Sequence, residues 1–248
     1  MKALSVKQPW ASVLCAGIKD VENRTWQTKG APGRILIHAT KTKVESNYEG
    51  YPDDYISTIK NARTMGQIPE YKDMPYGSII GYLDCYQIVR DAESYWAQPD
   101  SYHWCVKDAY LFDEPIPDIT GTRGRLFDVD VDENNLPPAH KVELLAPEWD
   151  GDTLVMPASK VVMGMVEKGA QEVMYDLDFF FFSFFCDPET GEPRQAKKIK
   201  FTCGDKVINK NVKAIEIGPY VGPDGKPVVY TGFDGQLVEW SFLAIVLK

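Results

Sequence analysis

The chain has 248 residues, enough for one large domain or two smaller ones, which excludes a peptide or a disulfide-held miniprotein. Hydrophobic residues make up 44% and charged residues 25%, the balance of a soluble globular protein, and this argues against wholesale disorder, a coiled coil or a collagen repeat. With 27 Lys+Arg against 36 Asp+Glu the net charge is −9, the wrong sign for coating nucleic acid by bulk electrostatics. Any nucleic-acid role must therefore be local. Residues 1–43 carry eight Lys/Arg against Asp20 and Glu22, a balance of +6, whereas 44–128 sum to −8 and 129–248 to −7.

In chain order, residues 3–6 read as a strand, and Trp10, Val13 and Leu14 at i, i+3, i+4 make a short amphipathic helix that stops at Gly17. Residues 21–26 and 35–38 look extended, with Gly30, Ala31, Pro32 and Gly33 supplying the turn between them. The polar, tyrosine-rich stretch 45–75 reads as an insertion of short helix and loop, ended by Met74-Pro75-Tyr76-Gly77. Strand signals resume at 78–89 and 102–110, with a shorter one at 126–131 after Gly121 and Gly124. From 132 to 157 the composition turns to Pro137, Pro138, Pro147, Pro157 and acidic or amide residues, which favours irregular backbone, so the expected domains are 1–131, a linker 132–157, and 158–248.

The second part begins with a helix-like segment, 159–168, in which Val162, Met165 and Val166 precede Gly169 as Trp10, Val13 and Leu14 precede Gly17. Strand candidates follow at 198–202, 212–217 and 240–247, in an order like that of the first half, which points to a tandem duplication. Glycine turns at Gly191 and around Gly222 and Gly225 read as hairpins.

The densest chemistry lies in Gly17-Ile-Lys19-Asp-Val-Glu22-Asn-Arg24-Thr-Trp26. If the segment from Val21 is extended, Glu22, Arg24 and Trp26 share a face by the two-residue period. Arg binds a phosphate or base edge bidentately, Glu accepts from an exocyclic amine, and Trp stacks on a base. Lys19 adds a compact cation, or a base or nucleophile if desolvated. The competing reading is an ordinary surface ion pair with core tryptophans.

These residues resemble a known family. Ser5-Val-Lys7-Gln-Pro-Trp10, then Gly17-x-Lys19-x-x-Glu22-x-Arg24-x-Trp26, then Gly33-Arg-Ile-Leu-Ile-His38-Ala39 look like the ASCH domain, a relative of PUA domains. Tyr76-Gly77-Ser-Ile-Ile-Gly81 and Asp113-Glu-Pro-Ile-Pro117 extend the likeness, which spans about residues 1–131. The resemblance implies an α+β fold, a PUA-like small mixed β-barrel with flanking helices, here in tandem. It also implies a cleft beside Lys19, Glu22 and Arg24 that takes RNA, a nucleotide or a modified nucleoside. Lys7, Trp10, Lys19, Glu22, Arg24, Trp26 and His38 are the expected ligand-binding residues. Single-stranded RNA or a nucleotide-derived small molecule is the expected partner. Some relatives remove an acetyl group from N4-acetylcytidine with a Lys at the Lys19 position, a Thr three residues later and a remote Glu. Here Glu22 replaces the Thr, the remote Glu has no aligned counterpart and Glu93 is taken for it, so Lys19 and Glu22 would be catalytic only in an amidohydrolase.

In the second half, Gln171, Met174 and Asp176 take the places of Lys19, Glu22 and Arg24, so the scaffold is expected without the site. Phe179, Phe180, Phe181, Phe182, Phe184 and Phe185 form an aromatic run, read as core or, alternatively, as a protein-partner patch. His38 ends a strand near the cluster and is either a pocket residue or a structural one, while His103 and His140 lack companions at metal spacing. The five cysteines show no CxxC, no dinucleotide or hydrolase motif is present, and no apolar run is long enough for a membrane span. No metal, cofactor or membrane contact is expected, and a cytoplasmic location is.

Overall fold

The computed structural model describes residues 1–43, 53–177, 184–231, 237–239 and 241–248. The chain divides into two units, Met1–Ser46 with Ile68–Leu144, and Asn47–Gln67 with Leu145–Lys248.

In the first unit β1 (Lys2–Val6) sends Ala3, Leu4 and Val6 into the core, and α1 (Trp10–Cys15) follows with all six residues buried. Gly17 ends α1 at φ 75°, where Gly17 N donates to Leu14 O and Ile18 N to Val13 O. That left-handed conformation strains any residue with a Cβ. β2 (Val21–Arg24) is an edge strand, and β3 (Gly33–Ala39) carries the run Ile35, Leu36 and Ile37, each fully buried. A continuous apolar run suits a strand covered on both faces, and β3 pairs parallel with β1.

The helix α2 (Asp53–Thr64) interrupts this unit in sequence but clusters with the second one. β4 (Ser78–Val89) and β5 (Tyr102–Ile116) form a long antiparallel hairpin whose register shifts at three places, and such bulges increase twist. β5 runs past the expected end at 110 because β7 (Ala139–His140) pairs with Leu111 and Phe112. β6 (Phe127–Asp128) pairs with Lys2 and Ala3 and is shorter than the expected 126–131. The strand order is β2-β5-β4-β3-β1-β6, a mixed sheet curled into a half-barrel.

The second unit opens inside the stretch read as a linker. β8 (Glu148–Asp150) and β9 (Thr153–Pro157) pair there, and Leu154 and Met156 are fully buried, so two apolar side chains at alternate positions outweigh the flanking prolines. α3 (Lys160–Glu167) is capped by Ser159 Oγ, which accepts from Val162 N at 3.2 Å. Its buried residues are Val162, Met163 and Val166, and Met165 is half exposed, so the helix is rotated from the phase expected of it. β10 (Glu172–Leu177), β11 (Lys198–Cys203), β12 (Lys206–Pro219), the small pair β13 (Val229–Thr231) and β14 (Leu237–Glu239), and β15 (Ser241–Leu247) complete the unit.

The main sheet runs β10-β15-β12-β11-β9-β8, with β9 and β11 parallel. Matching β9, α3, β10, β11, β12 and β15 to β1, α1, β2, β3, β4 and β5 gives the same strand order and the same single parallel pair. The helix ends match too: Lys168 N to Gly164 O, Gly169 N to Val166 O and Ala170 N to Met165 O repeat Ala16 N to Ser12 O, Gly17 N to Leu14 O and Ile18 N to Val13 O.

α2 is held within this unit by Asn61 Nδ2, which donates to Asp176 O at 2.8 Å, and by Thr64 O, which accepts from Ser159 N at 2.6 Å. Phe185 is buried in the core and Phe184 packs beside it and Trp149, whose indole donates to Phe184 O; Phe179 to Phe182 lie outside the described residues. All five cysteines are free, and burial pushes the Cys85 thiol up to about 12. Among the described residues no helix is long and apolar enough to cross a membrane.

Candidate functional site

The site is built from β1, β2 and β3. Gly17 turns the chain out of α1 and into β2, and Lys19 then folds back to donate to Val21 O and, at 2.8 Å, to Glu22 Oε2. Glu22 Oε1 holds Arg24 Nη2 at 2.9 Å, and the same guanidinium nitrogen donates to Ser5 O at 2.8 Å. The Ser5 hydroxyl lies 3.0 Å from His38 Nδ1, and Ser5 and His38 are opposite each other in the parallel pair. A continuous polar chain thus runs Lys19, Glu22, Arg24, Ser5, His38 across three strands.

Most of this chain is out of water. The Lys19 and Glu22 side chains are 4% and 10% exposed and Arg24 is 18% exposed, so Arg24 is the part that solvent or a ligand reaches. Arg24 Nε is buried with no hydrogen-bond partner. Burial by itself would raise the Glu22 carboxyl, but the charges of Lys19 and Arg24 and their hydrogen bonds outweigh it and hold the group below the usual carboxylate range. His38 is pushed below its ordinary value, first by burial, with Lys41 adding repulsion, and therefore stays neutral near pH 7. One anion between two cations leaves the cluster with a net charge of +1.

The other expected residues divide. Trp10 is buried and meets Trp96 edge-on at 6.2 Å, and the Trp96 indole donates to Ile18 O, so this pair closes the turn between α1 and β2 and offers no stacking face. Trp26 lies beyond the end of β2, half-buried, with its ring 4.9 Å from that of the fully buried Trp104. It does not share the ion chain of Glu22 and Arg24. Lys7 is exposed just past the end of β1. Glu93 is exposed, with no bond to the chain from Lys19 to His38. His103 in β5 is tied to the backbone of the preceding loop, accepting from Ala92 N and bonding Gln98 O, and His140 pairs with Asp113 on the surface.

Two contributors were not singled out from sequence. Ser5 supplies both a carbonyl and a hydroxyl, and its only signal was membership of the Ser5–Trp10 motif. Gly121, read as a turn glycine, packs so closely that a Cβ there would sit 2.3 Å from both Ser5 Oγ and His38 Nδ1. Gln8 of the same motif is structural, accepting from Ser12 N and Oγ and donating to Pro75 O. Among the described residues there is no group of three metal-ligating side chains.

The family model of the ASCH domain matches residues 4–112. Activating signal cointegrator 1 of Homo sapiens is 39% identical over 83 residues, which is 33% of this chain and 13% of that protein, so the chain matches only a small part of that relative's length. The family match begins within β1 and ends within β5, and so takes in all of Ser5, Lys19, Glu22, Arg24 and His38: residues 4–112 of this chain are an ASCH domain with a PUA-like α+β fold.

Proposed function

We propose that the first unit binds RNA or a nucleotide through an anionic group held at Arg24. The observation that carries this is the uncompensated charge. A largely buried cluster of Lys19, Glu22 and Arg24 sums to +1, and its most open member is a guanidinium with one buried N–H unbonded. Desolvated charge calls for a counter-charge, and guanidinium geometry suits phosphate. Family membership supports the same reading, since RNA binding is the general expectation for ASCH domains.

In this reading Lys19 is a positioning residue. Its ammonium is committed to Val21 O and Glu22, and it fixes the carboxylate that in turn aims Arg24. The hydrolytic alternative gains nothing from the geometry. A nucleophilic lysine needs a free lone pair, and Lys19 is ion-paired; a general acid needs a proton, and Glu22 is held ionised. The second unit is best read as a copy without the site. Ser5 O and Pro157 O occupy matching positions, but the donor to Pro157 O is the buried Tyr175 hydroxyl, at 3.2 Å, and Tyr175 belongs to the hydrophobic core.

The test is calorimetry or fluorescence anisotropy with a short single-stranded RNA and with nucleoside monophosphates. Arg24→Ala removes a charge-assisted contact of about 1.5–3 kcal/mol, so affinity falls roughly ten- to 150-fold, with Arg24→Lys intermediate. Wild-type protein that binds none of these ligands, or an Arg24→Ala variant that binds as well as wild type, overturns the proposal.

A further inference from the structure

Resting on the reading of Arg24 as an anion site, we infer that the ligand is a single-stranded nucleic acid several phosphates long, whose backbone continues from Arg24 past Lys7 onto Lys41 and Lys43. The track follows from the parallel pair. Ser5 lies opposite His38 and Val6 opposite Ala39, and Thr40 N donates to Val6 O at 2.9 Å. Lys7 and Thr40 therefore leave the sheet side by side, about 4.8 Å apart, at the same end as the Arg24 contact to Ser5. Lys41 comes next, and its aliphatic stem lies against Gly77, where a Cβ would stand 2.9 Å from Lys41 Cγ. The stem is packed while the residue stays exposed, so the ammonium is presented to solvent from a restrained base. Lys43 is exposed two residues on.

These lysines differ from three other exposed cations of the unit. Lys2, Arg34 and Lys141 are each matched to a carboxylate, Asp128, Asp84 and Asp108 respectively. Lys7, Lys41 and Lys43 have no ion-pair partner among the described residues, and neither do Lys29, Lys72, Lys107, Arg123 and Arg125, so it is their place where β1 and β3 end, beside the Arg24 contact, that singles them out. In a chain of net charge −9, unpaired cations gathered beside a desolvated +1 cluster form a local exception to the repulsion a polyanion otherwise meets. Ammonium groups read charge and not sequence, so the track lengthens the contact without specifying bases. Trp26, two residues from Arg24, is only partly buried, and an aromatic residue at that place favours a nucleic acid over an acidic peptide.

The experiment compares a labelled single-stranded RNA octamer with a nucleoside monophosphate on the full chain, from 50 to 200 mM salt, in wild type and in Lys41→Gln/Lys43→Gln. The octamer binds wild type more tightly than the monophosphate does. Each lost phosphate contact removes about 0.7 from the slope of log affinity against log salt. The double variant therefore has a slope shallower by about 1.4, a difference of about sevenfold over that range, and its monophosphate affinity is unchanged. Equal slopes in the two proteins overturn the track, while Arg24-dependent binding of the monophosphate leaves the site reading intact. A poly-glutamate peptide that competes as well as RNA of equal charge overturns the choice of nucleic acid. Failure of both RNA and monophosphate to bind removes the site reading, and the track with it.

Discussion

Replacing Glu22 by Gln keeps the side chain's shape but takes away the one negative charge shared by Lys19 and Arg24. In the folded protein the carboxylate bonds Lys19 Nζ at 2.8 Å and Arg24 Nη2 at 2.9 Å, with side-chain exposures of 4%, 10% and 18% along the triad. Removing one partner of a buried ion pair costs about 3–5 kcal/mol, because the remaining charge stays desolvated without compensation. Arg24 can turn toward water, so the loss centres on Lys19 and the lower half of that range applies. At about 2–4 °C per kcal/mol for a chain of this size, the melting temperature of the first unit drops by roughly 6–16 °C.

Tryptophan fluorescence reads this unit preferentially, since Trp10, Trp26, Trp96 and Trp104 lie in it against Trp149 and Trp240 in the other. Thermal and urea unfolding followed by that signal measure the loss. The double substitution Lys19→Met with Glu22→Gln removes the stranded ammonium and is less destabilising than Glu22→Gln alone. A Glu22→Gln protein that melts within a degree or two of wild type refutes the argument. So does a double variant that is worse than the single by the full cost of a second independent loss.

Acid should weaken the first unit in two windows. The folded carboxyl of Glu22 is depressed below its unfolded value of about 4.5, so its stabilisation is complete above that pH and is lost as pH falls through the depressed value. His38 is depressed below 6.5, so between that value and its folded one the unfolded chain takes up a proton that the folded one does not, and stability already declines below about pH 6.5. Urea midpoints from pH 8 to pH 3 should fall in both ranges, with Glu22→Gln abolishing the lower step; a midpoint flat across both ranges contradicts the assignment. Gly121→Ala forces a methyl to within 2.3 Å of Ser5 Oγ and His38 Nδ1 and should cost about 1–3 kcal/mol, read in the same unfolding curves and sunk by a neutral result. Tyr175→Phe removes the hydroxyl donated to Pro157 O, so the second unit should lose about 1–3 kcal/mol through the buried carbonyl left unpaired, while RNA or nucleotide affinity stays at the wild-type value.

The sequence by itself determined the local chemistry. Helix stops at Gly17 and Gly169, the buried run Ile35, Leu36 and Ile37, and the Lys19, Glu22, Arg24 spacing all rest on interactions within a few residues, where 3.6- and 2-residue periods are legible. The motif from Ser5 to Ala39 likewise identified the ASCH domain without coordinates. Tertiary structure alone decided which distant atoms complete the cluster. Ser5 and His38 meet because β1 and β3 pair in parallel, a register that no local pattern encodes, and Gly121 is required by the close approach of a loop more than eighty residues away. It also decided the fate of the tryptophans, since a stacking ring and a core ring have the same letter in the sequence. The prolines between 132 and 157 suggested irregular backbone, yet β9 lies there because Leu154 and Met156 gain more by burial in a sheet whose other strands come from far along the chain. Local propensity sets what each segment can do, and long-range burial and pairing select among those possibilities.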